Sequence, residues 1–238
     1  MTPVEGIQGY IVKILLLGPQ GAGKGTQAQR LARITGARHI ATGDLVRAEI
    51  KARTELGRII REYNDRGELV PDDVVVTMVM RRLAGSDSWV LDGFPRNKAQ
   101  AGALDDAMQA AGCEFDAVVA LEAPDDALVE RLSGRRTSET TGAIYHLSTN
   151  PPPADDPGPF VQRDDDKVEN IRHRLEIYHQ ETEPLKDYYA RGGRLLRVDA
   201  LQPIDTVTGT ILRAAEEPPV PTKLPRSASG RERYAHAS

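Results

Sequence analysis

The sequence predicts an α/β protein built on a parallel sheet with helices on both faces. Two observations carry that expectation. Short, β-rich apolar runs alternate with helical stretches along most of the 238 residues, an order that favours parallel strands joined by crossover helices. A glycine-rich turn, Gly18 to Thr26, lies between the first apolar run and the first helical stretch, where a phosphate-binding loop has to sit.

Residues 1–9 read as a loose leader. Tyr10 to Leu17 (YIVKILLL) is apolar apart from Lys13, which suits a strand buried on both faces better than a half-exposed one. A helical pattern follows from about Lys24 to Ile34. Trp89–Leu91, Ala117–Leu121 and Leu195–Val198 are further strands, and Arg38–Ile40 is a weaker one. Residues 42–71 read as helices without a strand. Residues 135–166 contain Pro151-Pro152-Pro153, Pro157, Pro159 and a run of Asp; so long a polar segment inside a compact domain is either functional or disordered. Pro218 to Ser238 lacks any apolar period and is predicted to be a disordered tail. It carries Lys223, Arg226, Arg231 and Arg233 against Glu232 alone.

Composition narrows the class. Hydrophobic residues are 39% and charged residues 28%, as in ordinary globular proteins. The net charge of −4 gives no global basic field, so nucleic acid is not expected as a partner. Cys113 is the only cysteine; this excludes a disulfide within the chain and a cysteine-rich zinc site, and a cytoplasmic location follows as an expectation. Cys113 itself reads as a small packing residue. No apolar run approaches the ~18–20 residues of a membrane span, and no signal peptide is expected.

The loop Gly18-Pro-Gln-Gly-Ala-Gly-Lys-Gly-Thr26 is the strongest local signal. Its glycines let backbone N–H groups wrap phosphates, the following helix adds its free N–H groups, and Lys24 reaches toward the β- and γ-phosphates. Gly25 stands where many such loops place a Ser or Thr hydroxyl on magnesium, so Mg²⁺ is expected on the nucleotide and on water. Asp92, closing Trp89-Val-Leu-Asp, is the carboxylate to hold those waters, with Asp44 as a second candidate.

GPQGAGKGTQ (18–27), ATGDLVR (41–47), LDGFPRNKAQ (91–100), GRR (134–136) and QRDDD (162–166), with the helix leading to Arg174, together resemble the adenylate kinases, over roughly residues 11–215. The resemblance implies a five-stranded phosphate-loop core (1–41, 72–134 and 167–217), a helical AMP-binding insertion (42–71) and a lid (135–166). It implies reversible transfer of a phosphoryl group from MgATP to AMP, giving two ADP, in adenine nucleotide homeostasis. ATP contacts fall on Gly21, Ala22, Gly23, Lys24, Gly25, Thr26, Arg131, Arg135 and Gln202, whose backbone carbonyl meets the adenine; Tyr145 is placed against the ATP sugar. AMP contacts fall on Thr42, Arg47, Leu69, Val70, Gly93, Arg96, Gln100, Arg163 and Arg174. Lys24, Arg96, Arg131, Arg135, Arg163 and Arg174 form the catalytic set, and Asp165 and Asp166 match lid-hinge acids. ATP, AMP and ADP are the implied partners of a monomer, with neither a membrane nor nucleic acid involved.

Phosphoryl transfer asks for positioning and neutralisation of charge. ATP and AMP together bring about six negative charges, each phosphate monoester being near −2 above a second pKa of ~6. One Mg²⁺ offsets two of them, and arginines pair with the rest as planar forks. The spacing of Arg131 and Arg135 after Pro124-Asp125-Asp126 predicts that they stack on one helix face. Arg174 borders the stripe Ile171, Leu175 and Tyr178, and Arg172 points elsewhere.

Some relatives staple the lid with four zinc ligands. Here the only lid histidine is His146, read as a packing or hydrogen-bonding residue, and no zinc is expected. Within the family, Thr42 and Gln100 favour an adenine acceptor over UMP or CMP, because an amide both donates to and accepts from a base edge. Gln20, where many relatives have Pro, alters the stiffness of the loop. A nucleotide sensor would be free to lose Lys24, Arg96 or a lid arginine, and a GTPase switch would normally carry a hydroxyl at position 25; neither departure occurs.

Overall fold

The computed structural model describes residues 11–65, 71–148 and 150–216. The leader, Leu69, Val70 and the tail from Pro218 lie outside the described residues. In chain order, β1 (Lys13–Leu17), α1 (Lys24–Thr35), β2 (Arg38–Ala41), α2 (Thr42–Ala52), α3 (Glu55–Asp65), α4 (Asp72–Leu83), β3 (Trp89–Asp92), α5 (Lys98–Ala110), β4 (Ala117–Glu122) and α6 (Asp125–Ser133) are followed by β5 (Arg135–Ser138), β6 (Ile144–His146), β7 (Phe160–Val161), α7 (Val168–Ile177), α8 (Leu185–Arg191), β8 (Leu195–Asp199) and α9 (Ile204–Glu216). The five strands expected from the apolar runs form one parallel sheet in the order β2-β3-β1-β4-β8.

The continuous apolar run of β1 has a direct physical reason. Successive side chains of a strand point to opposite faces. Ile14 and Leu16 enter a core with Ala28, Leu31, Leu128, Leu132, Ile171 and Ile211, from α1, α6, α7 and α9. Leu15 and Leu17 enter a second core with Val79, Leu104, Leu185 and Tyr189, from α4, α5 and α8. Both faces are covered, so no position of β1 beyond Lys13 tolerates a polar side chain, and each buried Leu contributes roughly 1.5–3 kcal/mol.

The two interruptions differ in kind. Residues 42–65 are helical, as expected. The proline-rich segment is folded where the sequence left it as either functional or disordered: β5, β6 and β7 form an antiparallel sheet in the order β6-β5-β7. The stacking expected of Arg131 and Arg135 on one helix does not occur. α6 ends at Ser133 and Arg135 opens β5. The chain leaves the helix at Gly134, whose carbonyl accepts from the Leu147 N–H at 3.1 Å while Arg135 pairs with His146 across β5 and β6; a Cβ added at Gly134 would come 2.3 Å from Nε2 of His146. His146 acts as a packing and hydrogen-bonding residue, its Nδ1 accepting from the backbone N–H of Ser148 at 3.2 Å.

The three-stranded sheet is organised around Asp156, which the sequence does not single out. Its carboxylate accepts from Ser138 Oγ (2.8 Å), Thr141 Oγ1 (3.0 Å), Tyr145 Oη (2.7 Å) and the backbone N–H of Gly158 (3.0 Å). The Gly158 N–H leads in holding the carboxyl down to about 2, with Tyr145, Ser138 and Thr141 adding to it. The folded value lies below the free one of 3.8, so this contribution is full above the free value and is lost as pH falls through about 2. Asp156→Asn is expected to speed amide hydrogen exchange in β5 and β6 roughly tenfold near neutral pH and to remove the acid-induced loosening expected of the parent. Unchanged exchange in the variant would count against Asp156 as the organiser.

Candidate active site

Several of the residues expected at the site, among them Gly21 to Thr26, Thr42, Gly93 and Arg96, follow the carboxyl ends of the parallel strands, where open α/β sheets bind ligands. β1 runs into the Gly18–Thr26 loop, β2 into Thr42, β3 ends on Asp92, and β8 leads into Asp199–Pro203. Gly18 has φ 139°, and a Cβ there would lie 2.5 Å from the carbonyl oxygen of Leu121, so only glycine lets the loop turn against β4. The start of α1 carries no side-chain cap and no acid in its first turn, which leaves its N–H groups and positive dipole end for an anion.

Lys24 stands at the centre. Its Nζ donates to the carbonyls of Gly18 and Pro19, both at 2.8 Å. Burial pushes its pKa below the ordinary lysine value; Asp92 opposes this, and Arg96, Arg174 and Arg135 add to it. Arg96 is lowered by burial and by Arg174 and Arg47, against Asp92. Arg163 is lowered by burial and by Arg135 and Arg47, against Asp165 and Asp166. Six cations thus converge from the loop, α2, the β3–α5 turn, β5, the β7–α7 turn and α7. A protein assembles mutually repelling cations at the cost of its own stability unless a ligand supplies the anions.

Most of these cations are held by acids or by backbone. Arg135 makes a two-pronged pair with the fully buried Asp166, Nε at 2.8 Å and Nη2 at 2.5 Å. Arg174 donates to Asp165 Oδ2 at 2.6 Å, Arg163 to Thr137 Oγ1 at 3.1 Å, Arg96 Nε to the carbonyl of Gly93 at 3.1 Å, and Arg47 pairs with Asp44. Arg131 goes elsewhere: its Nη2 donates to the Ala200 carbonyl at 3.0 Å, beside the exposed Gln202. Tyr145 lies within the lid, its ring edge-on to Phe160 at 5.8 Å and its hydroxyl on Asp156.

Asp92 flanks Gly25, whose added Cβ would sit 3.5 Å from Asp92 Oδ2. His39 Nε2 lies 3.9 Å from the same oxygen, a neighbour the sequence did not suggest. Asp44 is on α2, engaged by Arg47. Among the described residues, no group of three or more His, Cys, Asp or Glu side chains is arranged to hold a metal ion.

At the start of α2, Thr42 is buried and its Oγ1 has no hydrogen-bond partner among the described residues. Gln100, also buried, is fixed at both ends: Oε1 accepts from the Arg96 N–H at 2.8 Å, and Nε2 donates to Asp72 Oδ1 at 2.6 Å. An amide so held still has one donor proton and one lone pair to offer. Asn97 caps α5 through the Gln100 N–H. The sequence signals Asp72 only as a first-turn acid after Pro71; its grip on Gln100, from 28 residues away, has no sequence signature.

A glycine-rich loop on a parallel sheet, an inserted three-stranded sheet and a converging set of cations define a phosphate-loop phosphotransferase. Comparison with known proteins narrows this. Residues 16–194 match the adenylate kinase family. The chain is 43% identical over 214 residues to the adenylate kinase of Carboxydothermus hydrogenoformans, covering 87% of this chain and all of that one. It is 46% identical over 206 residues to that of Streptomyces avermitilis (83% and 94% of the two chains), and 45% identical over 204 residues to that of Archaeoglobus fulgidus (82% and 94%). The chain belongs to the adenylate kinase family.

Proposed function

We propose that the chain transfers the γ-phosphoryl group of MgATP to AMP, reversibly, giving two ADP. The convergence of Lys24 with Arg47, Arg96, Arg135, Arg163 and Arg174 carries this reading, because it matches the roughly six negative charges of the two nucleotides. The loop from Gly21 through Ala22, Gly23 and Gly25 to Thr26 cradles the ATP phosphates, and Lys24 leaves its resting carbonyls to follow the transferring group. Arg47 and Arg96 hold the AMP phosphate beside Gly93. Arg135, Arg163 and Arg174 travel with the lid and its hinge, so that closing the site brings in charge and excludes water together. The attacking AMP oxygen is already an anion, so no general base is needed.

Magnesium fits this donor set. It takes hard oxygen ligands and keeps several waters, and the single carboxylate beside Gly25 suits water-mediated holding by Asp92. When bound, the ion neutralises charge across the β- and γ-oxygens. Asp44, occupied by Arg47, has the lesser part. The lid is held by the Asp156 network, and zinc has no role in this reading. Thr42 and Gln100 select adenine through their unspent hydrogen-bonding capacity. Arg131 and Gln202 serve the ATP adenine side, and Tyr145 the ATP sugar. The enzyme works as a cytoplasmic monomer on ATP, AMP and ADP, without nucleic acid or membrane; no helix among the described residues is long and apolar enough to cross a bilayer.

The test is ADP formation from MgATP with AMP, UMP, CMP or GMP as acceptor, in the parent and in Arg96→Ala. Activity is expected with AMP alone, only with Mg²⁺, and about 100-fold lower in the variant. Preference for UMP or CMP would overturn the roles of Thr42 and Gln100. Nucleotide binding without transfer to any acceptor would overturn the reaction itself.

A further inference from the structure

A buried polar network ties the phosphate-loop helix to the segment on the adenine side, and none of the roles above uses it. Gln27 is three residues past Lys24 in α1, and Thr208 is in α9; they are 4% and 3% exposed. Gln27 Nε2 donates to the carbonyl of Ile204 at 3.1 Å. Thr208 Oγ1 lies 2.7 Å from Gln27 Oε1, to which it donates, and 2.9 Å from the same Ile204 carbonyl. Arg30 Nε donates to Thr208 Oγ1 at 3.2 Å, and Arg30 also pairs with Asp205. The surrounding seam between the two helices is apolar, made by Ala28, Leu31, Val207 and Ile211. Helix packing alone would be served by apolar side chains at 27 and 208, since a buried polar pair gains little net stability over an apolar one. A hydrogen-bonded pair supplies a fixed register instead.

The position of that register matters. Ile204 opens α9 two residues after Gln202. The intervening loop is pinned at its other end by the Ala200 N–H on the Glu122 carbonyl at 2.8 Å and by Arg131 on the Ala200 carbonyl at 3.0 Å. Gln27 therefore connects the element that holds the triphosphate to the far end of the loop that meets the base. We propose that Gln27 is a positioning residue for the donor nucleotide: through Ile204 and Thr208 it sets the spacing between the phosphate loop and the adenine-side loop, so that base and phosphates are engaged together. This rests on the reading that ATP lies with its base at Gln202.

The experiment is calorimetric titration of ATP, AMP and inorganic tripolyphosphate into the parent, Gln27→Leu and the double variant Gln27→Leu/Thr208→Val, with melting temperatures. In Gln27→Leu the Kd for ATP is expected to rise about tenfold, with Kd values for tripolyphosphate and AMP unchanged. The double variant leaves no buried polar group unpaired between the two side chains, so its melting temperature should return toward the parent value while ATP binding stays weak. Recovery of ATP binding together with stability would reduce Gln27 to a structural residue and overturn the proposal, as would a parallel loss of tripolyphosphate affinity. A parent that binds ATP no better than tripolyphosphate would overturn the adenine-side reading, and this inference with it. If the single variant does not fold, the double variant alone decides.

Discussion

Lys24→Met should lower kcat about a thousandfold, the scale on which charge stabilisation of a transferring phosphoryl group is lost, while melting within a few degrees of the parent. The two halves of this expectation share one cause. The Lys24 ammonium is desolvated among Arg96, Arg174 and Arg135, with Asp92 as its opposing charge, so it is held at a cost in the free protein. Removing it relieves repulsion and gives up only the two 2.8 Å hydrogen bonds to Gly18 and Pro19. In the proposed reaction the same ammonium moves from those carbonyls to phosphate oxygens, a contact of one charge with another in a closed site, where it is worth far more. Lys24→Arg should fail nearly as badly, because a planar fork cannot take the place of a compact ammonium in that loop. Steady-state kinetics with MgATP and AMP, beside thermal melting, check both halves. A kcat within tenfold of the parent would remove Lys24 from the chemistry.

Legibility in the sequence follows how local each determinant is. β1 was legible because burial on both faces leaves an unbroken apolar run, and α1 because a glycine-rich turn precedes it. Arg174 was placed correctly relative to Ile171, Leu175 and Tyr178, since helix periodicity decides that over a single turn; all three are buried while Arg172 is exposed. The relation of Arg131 to Arg135 was misread because periodicity was carried past Gly134, where the chain leaves α6 and enters β5. The lid strands were hidden for a different reason. β5, β6 and β7 are short, and their partners are held by Asp156 rather than by an apolar face, so no alternation marks them. The hold of Asp72 on Gln100 and the approach of His39 to Asp92 arise where separate elements meet at one end of the sheet, and nothing in either local segment announces them.

Asp166→Ala should destabilise the protein by about 3 kcal/mol, the lower end of what removing one partner of a buried ion pair costs. Asp166 is fully buried, and Arg135 donates to both of its oxygens. Without the carboxylate, the guanidinium has to remain as an uncompensated buried charge or pull the lid strand outward to reach water. For a chain of this size, that energy corresponds to a fall of about 10 °C in melting temperature. Activity should fall as well, by a different route. The backbone of Asp166 closes the segment 162–166 on itself just before α7, its N–H donating to the Arg163 carbonyl at 3.0 Å and its carbonyl accepting from Gln162 Nε2 at 2.9 Å. The carboxylate meanwhile uses Nε and one proton of Nη2 of Arg135, leaving three N–H donors aimed by a fixed support. Losing the support costs the proposed phosphate contact its orientation, a loss of roughly 100-fold for a misplaced catalytic group. The double variant Arg135→Leu/Asp166→Leu separates the two routes. Replacing both charges with apolar groups should restore most of the melting temperature and none of the kcat. If kcat recovers together with stability, Arg135 and Asp166 are a structural pair; if neither recovers, the pair shapes the hinge itself rather than carrying charge to the site.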